Sequence, residues 1–171
     1  REAFVYIEDE RFYEHAGVDW KRTFGAFLNE LTHGMLYGSK QGGSTITQQL
    51  VKNVTGDKEQ NMDRKMREIF RAADLEKYRT KDEILDAYLN CVGMGGSCSG
   101  VQAAALKYFG KDVSELDLAE AACLAAIPKS PENLNPFANK EANRERQLLV
   151  LKAMYNNAAI SKQQYEDSVK Y

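Results

Sequence analysis

The 171-residue sequence holds only three prolines, three cysteines and two histidines. It has no run of about 18 apolar residues, so nothing in it is expected to span a membrane. Cys91, Cys98 and Cys123 are too few, and odd in number, for a disulfide scaffold. Cys91 and Cys98 either bridge across a folded-back loop or serve, like Cys123, as small apolar fillers or loop thiols; the second is the expectation. No Cys-x-x-Cys occurs, and His15 and His33 lie far along the chain from the cysteines, so zinc is not expected. Neither sign of charge dominates: 23 Lys and Arg stand against 25 Asp and Glu, a net charge of −2. That balance argues against non-specific nucleic-acid binding as the main activity, and no nucleic-acid partner is expected. The sequence also lacks Gly-x-Gly-x-x-Gly and any βαβ alternation, which excludes a doubly wound nucleotide-sugar enzyme. It opens Arg1-Glu2-Ala3-Phe4, in folded-looking sequence without a leader, as expected of a domain excised from something longer.

What is present is helix-forming sequence. Strong helix formers run from Trp20 to Leu36, Met62 to Tyr78, Lys81 to Asn90, Leu116 to Ile127 and Lys140 to Tyr155. A last short helix is expected to start at Ser161, with Gln164 three residues on. Only Ala3 to Ile7 has strand character. All three prolines fall between Pro128 and Pro136, where no helix continues. Tyr37 to Gly43 and Cys91 to Gly100 are glycine-rich loops, the kind of segment where sites tend to sit.

Three segments carry chemistry. Glu8-Asp9-Glu10 precedes Phe12 and His15; if Glu8 starts a helix, Glu8, Phe12 and His15 share one face. A carboxylate crowded by like charges and an aromatic ring suits a general base, and an acidic helix start is the plainer alternative. Gly42-Gly43-Ser44-Thr45-Ile46-Thr47-Gln48-Gln49 reads as a capped helix start, either merely capped or binding an anion or sugar, with Lys52 further along. Met62, Met66, Ile69, Phe70 and Ala73 fall on one helical stripe, which is expected to be buried. Arg64, Glu68 and Arg71 then project away from it, as a solvated face or as a phosphate site.

Four ordered motifs add a resemblance. Glu8-Asp9-x-x-Phe12-x-x-His15-x-Gly17, Gly43-Ser44-Thr45-Ile46-Thr47-Gln48-Gln49, Arg64-Lys65-x-x-Glu68 and Lys81-x-x-Ile84-Leu85-x-x-Tyr88-Leu89-Asn90 occur in this order. Together they resemble the glycosyltransferase domain of class A penicillin-binding proteins and monofunctional peptidoglycan transglycosylases, glycosyltransferase family 51. The resemblance continues through Gly100-Val101-x-Ala103-Ala104, Tyr108-Phe109-Gly110-Lys111 and the proline segment, over essentially the whole chain. The fifth motif of the family, Arg-Arg-x-x-Val-Leu, is imperfect: Arg146 is kept and Gln147 replaces the second arginine. Gln60 stands where relatives often carry a basic residue, with Lys58 close by.

The resemblance implies a mainly α, lysozyme-like fold, with a large helical lobe and a smaller membrane-proximal lobe (about residues 35–58) flanking a cleft. It implies one domain over 1–171, with the family's N-terminal membrane helix absent. It implies an inverting enzyme that polymerises lipid II into β-1,4-linked glycan and releases polyprenyl pyrophosphate. Glu8 is then the base. Glu68 is the second catalytic glutamate, holding the acceptor or a divalent cation (Mg or Mn) at the substrate pyrophosphate; no tightly bound cofactor is expected. Lys52, Arg64, Lys65 and Arg146 are implied for phosphate binding, and Ser44, Thr45, Gln48 and Gln49 for the substrate cleft. The implied partners are lipid II, the growing chain, the membrane surface and a C-terminal transpeptidase domain, at the outer face of the bacterial membrane. Phe27, Leu28, Leu31, Met35, Leu36 and Tyr37 form the expected immersion face, and moenomycin-type phosphoglycolipids are expected to bind between Glu8 and Lys52. A lysozyme-like hydrolase or lytic transglycosylase is the competing reading; it needs no basic helix, because its leaving group is a sugar.

Overall fold

The computed structural model describes residues 1–31, 42–56 and 62–170, and the side chains of all of these except 26–31. The described residues are mainly α. The helices are α1 (Glu2–Glu8), α2 (Trp20–Leu31), α3 (Ile46–Thr55), α4 (Met62–Tyr78), α5 (Lys81–Cys91), α6 (Val101–Phe109), α7 (Leu118–Ala126), α8 (Pro131–Leu134), α9 (Lys140–Asn156) and α10 (Lys162–Lys170). Two 3₁₀ turns, Val113–Glu115 and Ile127–Lys129, flank α7. Among the described residues the only β pairing is an isolated bridge between Gly93 and Ser99.

The chain divides into two compact units, one of Glu8–Tyr88 and one of Arg1–Ile7 with Leu89–Tyr171. The larger unit is built on α7, which packs on α9, with α6, α8 and α10 around the pair. Small residues make the close approach possible: Ala119, Ala122, Ala125 and Ala126 of α7 are all buried. Asp117 caps α7 by accepting the Glu120 backbone N–H at 2.8 Å, and Glu120 returns the bond to the Asp117 N–H at 3.0 Å. Burial opposes ionisation of Glu120, but Lys111 at 2.6 Å and the Asp117 N–H outweigh it and hold the carboxyl below its ordinary value. All three cysteines are free thiols, and burial pushes Cys123 up to about 11.

Two expectations are corrected here. Ala3 to Ile7 is helix, not strand, and Glu8 ends that helix instead of starting one. Ala3, Phe4, Val5 and Ile7 are all buried. A segment buried on nearly every side shows no 3.6-residue periodicity over seven residues, so its β-branched content misleads. The second correction concerns α4. Met62 (75% exposed), Met66 (48%) and Phe70 (67%) face solvent, while Glu68 and Ala72 are buried. Periodicity finds the apolar face of a helix but not which face packs. Here α4 packs against α3, and its buried residues are the small Ala72 and the charge-paired Glu68.

Gly17 lies against the backbone of α4 at Ala72. Its φ is +86°, and a Cβ there would lie 2.5 Å from the Ala72 carbonyl oxygen. Only glycine permits both that backbone conformation and that approach to α4.

Candidate active site

Every site residue named from the sequence except Arg146 lies in the Glu8–Tyr88 unit. Glu8 sits at the last position of α1, where residues 9–17 turn tightly away. Its carboxylate is 9% exposed and accepts the Gln49 amide, Nε2 to Oε2, at 3.0 Å. Gln49 in turn accepts the Tyr88 hydroxyl at 3.2 Å, which fixes which end of the amide faces Glu8. The Arg22 guanidinium donates to the Glu8 carbonyl at 2.6 Å. The general-base candidate is thus held from α2, α3 and α5.

Asp9, fully buried, ties the first motif to the second. It accepts the Ile46 backbone N–H, the first of α3, at 2.9 Å and the His15 Nε2 at 2.9 Å, with Arg22 at 3.8 Å. His15 Nδ1 lies 3.5 Å from the Lys81 ammonium. An ammonium is donor only, so the network puts the imidazole proton on Nε2, toward Asp9. Lys81 also pairs with Glu76 at 2.8 Å, and Glu76 accepts the Thr47 hydroxyl at 2.6 Å. The structure gives His15, Lys81 and Thr47 a bracing role for which the sequence offered motif membership but no mechanism, and adds Glu76, which lies outside the motifs.

Thr45 and Gln48 were read as cleft residues; both are fully buried. They form a capping box: Thr45 Oγ1 accepts the Gln48 N–H at 3.1 Å, and Gln48 Oε1 accepts the Thr45 N–H at 2.9 Å. Thr45 donates to the Gly17 carbonyl at 2.6 Å. Their side chains are thus engaged within the fold. Gln49 is half-buried and engages the Glu8 carboxylate.

The cations gather around Glu68. This carboxylate is buried and paired with Lys65 at 2.5 Å and Arg64 at 3.3 Å, and Lys65 also donates to the Ser44 hydroxyl at 2.9 Å. A lone buried carboxylate would be costly, and two cations stabilise it. A small hollow beside this pair is lined by Val51, Lys52, Thr55, Arg64, Glu68 and Arg71. Four of the basic side chains named from the sequence are thus placed about one carboxylate. Among the described residues no cluster of three or more His, Cys, Asp or Glu gathers. Glu68 with two cations on it is a poor cage for Mg or Mn.

Further along the same unit, Asp19 caps α2 by accepting the Arg22 N–H at 3.0 Å and pairs with Arg11 at 2.7 Å. Burial opposes its ionisation, but these bonds outweigh it and hold the Asp19 carboxyl below its ordinary value.

Arg146 stands half-buried on α9 of the other unit. The Gln147 departure has a structural reason. Its side chain is buried, donates to the Ala119 carbonyl of α7 at 2.6 Å and accepts Arg144 at 2.6 Å. Lys58, Gln60, Met35, Leu36, Tyr37 and much of the 35–58 segment lie outside the described residues, as do the side chains of Phe27, Leu28 and Leu31. No helix among the described residues is long and apolar enough to cross a membrane.

Comparison with known proteins identifies the family of the chain. The family model described as Transglycosylase matches residues 1–155. Penicillin-binding protein 1A of Clostridium tetani is 42% identical over 176 residues, covering 100% of this chain and 22% of that protein. Its counterpart in Clostridium perfringens is 45% identical over 178 residues, covering 99% of this chain and 26% of that one. The chain thus spans about a quarter or less of the length of these relatives. A solved penicillin-binding protein 1A from Haemophilus influenzae, 29% identical, aligns with 72% of this chain and 16% of its own at a TM-score of 0.48. With buried Glu8 and the cation-paired Glu68 in one unit and the family model covering nearly the whole chain, the chain belongs to the transglycosylase family and is a transglycosylase domain of the kind carried by penicillin-binding proteins.

Proposed function

We propose that this domain is a peptidoglycan glycosyltransferase that polymerises lipid II with inversion at the donor's anomeric carbon. The observation that carries the reading is the pairing of one near-buried, amide-held carboxylate, Glu8, with a separate group of cations around Glu68 in the same unit. A displacement of that kind needs both parts. Glu8 takes the proton from the acceptor 4-hydroxyl as its oxygen bonds to the donor C1. The C1–O bond to pyrophosphate breaks on the opposite face, and the pyrophosphate departs with the electron pair. Lys52, Arg64 and Lys65 stabilise its charge. Glu68 keeps Lys65 and Arg64 in place, and Ser44 fixes Lys65 from the other side.

The basic group favours a pyrophosphate leaving group over a sugar, and hence synthesis over the hydrolase or lytic reading. The substrate is a lipid, so the domain acts at the outer face of the bacterial membrane. Trp20 and Phe24, one turn apart on α2 and 65% and 63% exposed, support a membrane-facing side there. A transpeptidase domain is the expected companion in the full-length protein, and a moenomycin-type phosphoglycolipid the expected competitor.

The test is incubation with labelled lipid II and electrophoresis of the products. A ladder of glycan is expected from the wild type. Glu8→Gln should lose at least about 100-fold in rate with an unchanged melting temperature. Retention of more than about a tenth of the rate removes Glu8 as the base. Degradation of preformed glycan instead of a ladder establishes the hydrolase reading.

A further inference from the structure

Arg64 and Lys65 are both committed to Glu68, at 3.3 Å and 2.5 Å. Lys52 and Arg71 are not so committed. Both are exposed, both line the hollow beside Glu68, and neither has an acidic partner among the described residues. Arg71 belongs to this face of α4 by geometry: Arg64, Glu68 and Arg71 stand at i, i+4 and i+7. Lys52 and Thr55 meet it from the last turn of α3. The hollow therefore carries Lys52, Arg64 and Arg71 against one carboxylate that Arg64 and Lys65 already neutralise.

We infer that Arg71 is a further phosphate-binding residue, which with Lys52 grips a phosphoryl group of the pyrophosphate across this hollow. The inference rests on the pyrophosphate reading above. The hollow is about 10 Å³, too small for a saccharide ring, so a phosphoryl group sits at its rim with one oxygen directed inward. Chemistry supports it too. A guanidinium offers a planar fork that matches two phosphate oxygens at once, which an ammonium does not. Arg71 is anchored on a helix whose neighbours Glu68 and Ala72 are buried, so its starting point is fixed while its head reaches the rim.

The probe is a short isoprenyl pyrophosphate, titrated into the domain at low and high salt, with the corresponding alcohol as the uncharged control. Arg71→Ala is expected to weaken binding by about ten-fold at low salt and by less at high salt. Arg71→Lys should recover part of the loss, because it restores the charge without the fork. Melting temperature should stay unchanged in both, since the side chain is exposed and braces nothing. Lys52→Ala is the second arm. If Lys52→Ala weakens binding while Arg71→Ala stays within about two-fold of wild type, the Arg71 inference is overturned and the pyrophosphate reading stands. If neither substitution matters, or the alcohol binds as tightly as the pyrophosphate, both fall.

Discussion

Gln49 donates its side-chain amide to the Glu8 carboxylate at 3.0 Å while its oxygen takes the Tyr88 hydroxyl at 3.2 Å. The amide therefore fixes the Glu8 carboxylate, the proposed base, from one residue beyond the buried capping box of Thr45 and Gln48. Gln49→Leu keeps the volume and removes both bonds. We expect kcat to fall about ten-fold with the KM for lipid II little changed, since a hydrogen bond to a charged group is worth about 1.5–3 kcal/mol. A raised KM with unchanged kcat would assign Gln49 to substrate binding instead. Steady-state kinetics on the purified domain separate the two.

The outward-facing stripe of α4 gives a test on stability. If Met62, Met66 and Phe70 were core, Phe70→Ser would cost about 3 kcal/mol or more. With Phe70 67% exposed, the expected change is within about 0.5 kcal/mol. Ile84→Ala, at a position 1% exposed on α5, is the contrast and should cost about 2–5 kcal/mol. Urea denaturation of the two variants checks this.

Asp19 makes part of the stability depend on pH. Its carboxyl is held below its ordinary value despite burial, by the Arg22 N–H and by Arg11. The unfolded chain then takes up this proton before the folded one as pH falls. The contribution is complete above the unfolded carboxyl value of about 3.9 and is lost as pH drops through the lower folded value. Asp19→Asn should therefore lower stability at pH 7 and leave it nearly unchanged at the acid end. Denaturant midpoints measured across pH 2 to 7 give the comparison; a constant gap between variant and wild type at every pH would show that the charge of Asp19 contributes nothing.

The sequence by itself determined the helical class, the bounds of most of the longer helices and the capping box at Thr45, and it named the candidate site residues. Met62–Tyr78 came out residue for residue, because the strong helix formers of this run act locally. Glu8, Lys52, Arg64, Lys65 and Glu68 were legible because the order and spacing of four motifs survive in the linear chain. Tertiary structure alone decided which way these elements face. The side of α4 that packs is set by Gly17 approaching the Ala72 backbone, a contact between residues far apart in sequence that no periodicity encodes, whereas the two cations that neutralise Glu68 stand three and four positions away on the same helix. Ala3 to Ile7 is helical because burial on nearly all sides overrides β-branched propensity. Thr45 and Gln48 are buried in a capping box and Gln49 reaches Glu8 for the same kind of reason: neighbouring residues of one helix end point in different directions, and only the partners they meet across the fold give each its contacts.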